Sequence, residues 1–337
     1  MKIREHVSLK ALNTFGIDVP TRYFAELRSP DDVQSLINRG SLSGTPILIL
    51  GGGSNLLFTK PFDGLVLHPR FEVFEVREEN RSQARVTLGS GMNWHSCVLR
   101  TLERGLSGLE NLSLIPGTVG AAPIQNIGAY GVELKDVFHD LEAVNLRTGE
   151  TRRFDRSHCQ FGYRSSWFKS QSDPLLILSV TLALSKTFRP RLSYQGLEEE
   201  LRRSGITDPT PREVSAAVIR IRKRKLPDPA RWGSAGSFFK NPVISNDRFQ
   251  QLKKAHPTLS AHNAGEDQMK ISAAWLIDKA GWKGKTLGRA GVYERHALVL
   301  INRGGATGAE IAELAERIRE DVRRKFGLSL EPEVQIL

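Results

Sequence analysis

The 337 residues carry a formal net charge of +11, with 39% hydrophobic and 7% aromatic residues, enough chain for two or three domains at roughly 150 residues each and enough apolar material to bury their cores. The longest apolar stretch, PLLILSVTLAL (174–184), falls short of the roughly 20 residues that cross a bilayer, and the N-terminal MKIREHVSLKALNTFGIDVP lacks the apolar core and cleavage site of a secretory signal. Cys97 and Cys159 have neither metal-ligand spacing nor the numbers for a disulfide framework, so the expectation is a cytoplasmic protein with no metal site and no membrane span; a monomer is expected as well, although no feature of the sequence gives the oligomeric state.

The first block reads strand, helix, strand. YFAEL (23–27) alternates; Ser29 caps a helix with Pro30 at its first position and Asp31 and Asp32 in its first turn, and Gly40 ends it. PILIL (46–50) is a buried strand running into GGGSN (51–55). A middle block from about residue 74 holds the strand RVTLG, a helix from Trp94 to Arg104 stopped by Gly105, and a hairpin in LEAVNLRTGETRRF. It closes on a helix opened by Thr210, Pro211 and Glu213, a capping box with Pro at the first turn. Val214, Ala217, Val218 and Ile221 line one side of that helix, and the basic run RIRKRK (220–225) is expected at its exposed end. LPDPARWGSAG (226–236) is the boundary to a third block. There SFFKN reads as a strand, two helices follow, ALVLIN reads as a strand, and a helix capped by Thr307 and Glu310 presents Ile311, Leu314, Ile318 and Val322 before Gly327 stops it. The terminal LSLEPEVQIL reads as a strand. Strand pairs and helices without regular alternation indicate an α+β fold.

Two segments stand apart. IPGTVGAAPIQNIGAYG (115–131) has no charged side chain, although a quarter of the chain is charged and about four would be expected there. The three glycines of ILGGGSN follow a buried strand, where consecutive N–H groups form a nest for phosphate oxygens. A dinucleotide fingerprint is only partly met, because Leu56 stands where the third glycine belongs. Two readings follow for the uncharged ribbon: a turn packed on its own core, or a backbone wrapped around a cofactor with a pyrophosphate and a large flat ring. The positive charge likewise fits either a nucleic-acid surface or a site that gathers polyphosphates.

NTFGID (13–18), LGGGSNLLF (50–58), GLENLSLIPGTVGAAPIQNIGAYGVEL (108–134), FGYRSSWFK (161–169), KLPDP (225–229), GSAGSFFKNP (233–242) and LEPEV (330–334) occur in this order. Together they resemble the UDP-N-acetylenolpyruvoylglucosamine reductases, flavoenzymes that complete UDP-N-acetylmuramate for peptidoglycan. The resemblance covers nearly the whole chain. PIQN and the long segment between Pro242 and Lys270 resemble the branch that carries a substrate-closing loop.

The resemblance implies an FAD-binding fold of the vanillyl-alcohol-oxidase (PCMH) type in two subdomains, 1–73 with the terminal strand 329–337 and 74–225, plus an α+β substrate-binding domain at 226–328. It implies FAD held by Gly51, Gly53, Ser54 and Asn55, by Pro116, Gly117, Thr118, Gly120, Ala121, Asn126, Gly128 and Tyr130 of the ribbon, and by Arg222 as a cationic clamp. Because neither Gly-rich segment contains His or Cys, the flavin is expected to be non-covalent, with NADPH as hydride donor. The resemblance further implies that Arg164 and Glu333 flank the enolpyruvyl group and that Ser237 donates the proton. By the same resemblance, Tyr163, Tyr194, Lys225 and Asn241 are expected to contact the UDP-sugar. His262 stands where the loop-bearing branch has a tyrosine. The alternatives are another FAD oxidoreductase of the same fold or a basic nucleic-acid-binding protein.

Overall fold

The computed structural model describes residues 1–39, 44–194 and 196–337. The chain forms two compact units: residues 1–7, 20–52 and 63–224, and residues 8–19, 53–62 and 225–337.

The first unit contains two sheets. The strands Ile3–Ser8, Pro20–Leu27, Phe62–Pro69 and Ile47–Ile49 form one, in that spatial order, with the pair Ile47–Leu65 to Ile49–Leu67 parallel. Its apolar cluster joins Ala25, Leu27, Leu65 and Leu67 to Val33 and Leu36 of the helix Pro30–Asn38. That helix begins as the sequence predicts, with Ser29 and Asp32 closing a reciprocal capping box; its expected stop, Gly40, lies outside the described residues.

The second sheet has five strands. The hairpin of Phe138–Asn145 with Thr151–Asp155 adds Leu175–Ser185, then Gln83–Gly89 and Phe74–Glu78. Leu176, Val180, Leu182 and Leu184 of the long strand are buried, as expected for an apolar run with a face on each side. The helix Trp94–Glu103 packs Trp94, Cys97, Val98 and Leu102 into one cluster with Val180, Leu182 and Leu184, which takes in Val119, Ala122 and Ile127 of the ribbon. Cys97 and Cys159 are free, buried thiols.

In the second unit, the helix Gly308–Phe326 buries Ile311, Leu314, Ile318 and Val322, with the predicted capping box and Gly327 in the left-handed conformation. Two predicted strands are much reduced. Residues 237–239 make only isolated bridges, Ser237 with Val299 and Phe239 with Pro332, and the C-terminal strand is confined to Gln335–Ile336, parallel to Leu56–Leu57. Pro332 and Pro242 lack N–H donors, which limits regular pairing there. Strict alternation also fails at the terminus: Val334 is buried whereas Ile336 is exposed.

Candidate active site

The ribbon is held along its first half by the segment before and into the helix Trp94–Glu103. Trp94 N–H donates to Gly117 O at 3.1 Å, Val119 N–H to Met92 O at 2.9 Å, and Gly120 N–H to Ser90 O at 2.9 Å. The glycines are spatially required. A Cβ on Gly51 would lie 2.4 Å from Thr118 Oγ1, one on Gly52 2.7 Å from Gly117 Cα, and one on Gly120 2.6 Å from Ser90 Cβ. The two Gly-rich segments therefore meet directly, backbone on backbone. The packed-turn reading holds for the ribbon's apolar residues, since Val119, Ala122 and Ile127 join the core.

Its second half is tied to FGYR. Asn126 is buried at a φ of 45°; its amide donates to Glu133 Oε2 at 2.9 Å and to Gly162 O at 3.1 Å, while its Oδ1 accepts from Lys135 N–H at 3.0 Å. Asn126 thus fixes the ribbon's turn. Arg164, at a φ of 52°, reaches back to donate to Gly128 O at 3.0 Å, and its guanidinium lies 5.9 Å from the Tyr163 ring. Arg164, Asn126 and Tyr130 all hold left-handed backbone, strain that concentrates where surroundings fix the chain.

The basic helix Pro211–Lys225 is partly committed internally. Glu200, 5% exposed, accepts from Arg220 Nε at 2.9 Å and Arg224 at 2.6 Å. Between these two, Arg222 turns inward, so the run is not the uniformly exposed face the sequence suggests. Its Nε is buried with no hydrogen-bond partner; its neighbours are the Tyr130 hydroxyl, to which it is hydrogen-bonded, and the Arg164 charge. Burial is the main force lowering the Arg222 pKa, with Arg164 adding to it. Tyr194 packs edge-on against Tyr130 at 5.0 Å. Arg222, Tyr130, Arg164 and Tyr194 are thus one contiguous set. A buried guanidinium with an unused donor and a second arginine beside it is a place for an anion.

In the second unit, Ser237 and Glu333 come together through the main chain. Phe238 N–H donates to Leu298 O at 2.8 Å, and Phe238 O accepts from Glu333 N–H at 2.8 Å. Phe238 and Phe239 are fully buried, which fixes the half-buried Ser237 between them and the turn at Gly236, φ 71°. Asn55 Nδ2 donates to Glu333 O at 3.2 Å. Gly53, at φ 59°, has Leu12 O where a Cβ would stand, and its own carbonyl accepts from Thr14 N–H. NTFGID is a loop closed on itself by Asn13, whose amide bonds Leu9 O and Ile17 O. Asn241 Oδ1 accepts from Ala273 N–H at 2.9 Å.

Lys225 is exposed. With Lys283 it sets the electrostatic field at His296, a residue the sequence reading passed over. Burial first, then Lys225 and Lys283, push the His296 pKa below the usual imidazole value. Its Nδ1 accepts from Leu298 N–H at 3.3 Å, so the neutral ring carries its proton on Nε2. Nothing in ERHALVL signals this, because the lysines come from distant segments. His262 is exposed on the strand Ala261–Gly265, opposite Lys270; the segment expected as a loop is a helix followed by a β-hairpin.

Two family models match the chain: an FAD binding domain over residues 21–155 and the C-terminal domain of UDP-N-acetylenolpyruvoylglucosamine reductase over residues 228–337. The reductase of Pseudomonas aeruginosa is 50% identical over 333 residues, 99% of this chain and 98% of its own length. The chain belongs to the UDP-N-acetylenolpyruvoylglucosamine reductase family. The reductase of Burkholderia multivorans is also 50% identical, over 96% of this chain and 94% of its own. The crystal structure of UDP-N-acetylenolpyruvylglucosamine reductase from Thermus caldophilus superposes with a TM-score of 0.69 at 26% identity, covering 99% of both chains. These matches bear out the α+β fold with an FAD-binding part and a reductase C-terminal domain. Ser237 and Glu333 fall inside the reductase-specific match, whereas Arg164 and Arg222 lie in the stretch that neither model covers.

FAD is the cofactor of this reductase family member, and the residues present fit it. The buried Arg222 Nε without a partner suits a diphosphate, and the ribbon's main chain suits close approach by a flat ring.

Proposed function

We propose that the protein reduces the enolpyruvyl ether of a UDP-N-acetylglucosamine to the lactyl ether, using NADPH and non-covalent FAD, in the synthesis of peptidoglycan precursors. The observation that carries this is the pairing of the reductase-specific C-terminal match with the main-chain alignment that sets Glu333 beside the Ser237–Phe238 segment.

Bound FAD supplies the hydride that it takes from NADPH. Arg222 and the main chain of Gly51, Gly53, Ser54, Asn55, Pro116, Gly117, Thr118, Gly120, Ala121, Gly128 and Tyr130 hold and orient it. Reduction puts hydride on the methylene carbon of the enolpyruvyl group and a proton on the adjacent carbon, which is anionic in between. Arg164 stabilises the carboxylate-conjugated anion, its direction fixed by the bond to Gly128 O, and Ser237 Oγ delivers the proton. Glu333 orders the second face of the same group. Tyr163 and Tyr194 supply aromatic surface for the nucleotide sugar, Asn241 a polar contact, and Lys225 the cation its diphosphate needs. His262 takes the role of the loop tyrosine.

The strands of the first unit form two separate sheets, which supports a division near residue 74, with 226–328 as the substrate domain. Among the described residues no helix is long and apolar enough to cross a membrane; the free thiols of Cys97 and Cys159 fit a reducing cytoplasm. The internal use of Arg220 and Arg224 by Glu200 argues against the basic run as a nucleic-acid surface.

The test is anaerobic. The purified protein should be yellow, NADPH should bleach it, and UDP-N-acetylglucosamine enolpyruvate should restore the colour with formation of UDP-N-acetylmuramate. Bleaching without reoxidation by that substrate would leave a flavin oxidoreductase of another specificity.

A further inference from the structure

The ribbon enters through three contacts, each of a different kind. Trp94 Nε1 donates to Leu112 O at 3.0 Å, Ser113 Oγ and Ser215 Oγ are hydrogen-bonded to each other at 2.7 Å, and Leu114 N–H donates to His95 Nδ1 at 3.0 Å. The last is chemically distinctive. Leu114 has a φ of 58°, a left-handed conformation that costs a residue with a branched side chain roughly 1–2 kcal/mol. Leu114 and the following Ile115 set the path to Pro116, Gly117 and Thr118, the stretch against which Gly51 and Gly52 pack without room for a Cβ. An imidazole accepts at Nδ1 only when that nitrogen has no proton. The charged groups facing His95 are Arg222 and Lys223 of the basic helix; burial first, then these two, hold its pKa below the usual value, so the acceptor is kept.

We propose that His95 is a positioning residue for FAD: its unprotonated Nδ1 holds the strained Leu114 amide, and through it the Pro116–Thr118 main chain, in the geometry that receives the flavin. This rests on the flavin-binding reading above.

The experiment uses protein freed of FAD, titrated with FAD and followed by flavin fluorescence, beside amide hydrogen exchange at Leu114 in the same flavin-free protein. Wild type is compared with His95→Ala, His95→Asn and His95→Gln. Asn places an acceptor where Nδ1 stands; Gln places one near Nε2. The expected result is that His95→Ala and His95→Gln bind FAD at least about tenfold more weakly, which corresponds to about 1.4 kcal/mol, and exchange Leu114 faster. His95→Asn recovers both. An Asn variant as impaired as the Gln variant, or an Ala variant with wild-type FAD affinity, would overturn the proposal. Wild-type protein that binds no FAD would instead sink the flavin reading, while the Leu114 exchange comparison still reports on the His95 contact.

Discussion

The side-chain amide of Asn55 donates to the main-chain carbonyl of Glu333 at 3.2 Å, and the carbonyl of Asn55 accepts from Gln335 N–H at 3.0 Å. The last residue of the Gly-rich loop thus grips the peptide on one side of Glu333, while Phe238 O grips Glu333 N–H on the other. The residue expected to touch flavin phosphate has a second task. It holds a residue assigned to the substrate.

Asn55→Ala should therefore slow flavin reoxidation by the enolpyruvyl substrate about tenfold to a hundredfold, the range for a slightly misplaced catalytic group, with a smaller change in FAD affinity. Stopped-flow reoxidation beside an FAD titration checks this. A variant that loses FAD but reoxidises normally would assign Asn55 to the phosphates alone.

Gly52 and Gly105 separate close packing from backbone conformation. Gly52→Ala would set a Cβ 2.7 Å from Gly117 Cα, main chain that cannot swing aside. We expect a loss of about 1 to 3 kcal/mol together with weaker FAD binding. Gly105→Ala meets nothing within 4 Å but must hold a φ of 72°, so it should cost about 1 to 2 kcal/mol and leave FAD affinity unchanged. Thermal melts of the apoprotein and flavin titrations distinguish the two.

How far this could be read from the sequence depended on whether a feature was local. Helix starts at Ser29, Thr210 and Thr307 were legible because a cap and its partner lie three residues apart. The strand Leu175–Ser185 was legible from its apolar run. SFFKN was not: its partners are Leu298, Val299 and residues 331–333, and its form depends on Pro332. Of the site, the motif residues stood out only as a set. His95 and His296 were invisible, because a lone histidine has no pattern; the Leu114 amide and the lysines that give them meaning come from elsewhere in the chain. Arg222 was picked out by resemblance, but its inward turn follows from Glu200 claiming the arginines on either side.

That Glu200 fork carries a pH signature. Hydrogen bonds from Arg224, opposed by burial and reinforced by Arg220, hold the Glu200 carboxyl below the usual range. A carboxylate with a depressed folded-state pKa contributes stability above its unfolded pKa, about 4.3, and loses it as pH falls through the folded value. Glu200→Gln should cost about 1 to 3 kcal/mol at neutral pH, and its deficit relative to wild type should shrink as the solution is acidified below about pH 4.3. Denaturant melts across that range measure it. A deficit constant with pH would mean that the side chain matters for packing and not for charge.

The most direct test of the central claim separates the two half-reactions in Ser237→Ala. Ser237 is assigned one job, protonating the carbon left anionic once hydride has arrived, and its position is fixed by Phe238 bonding Leu298 and Glu333. Flavin reduction by NADPH needs no proton from it. Anaerobic stopped-flow at the flavin absorbance should show bleaching by NADPH at a near-normal rate and reoxidation by UDP-N-acetylglucosamine enolpyruvate slowed by roughly 10²- to 10⁴-fold, the usual contribution of a positioned acid. Ser237→Cys, which keeps a donor in place, should recover part of that loss. Equal slowing of both half-reactions, or of neither, would contradict the assignment.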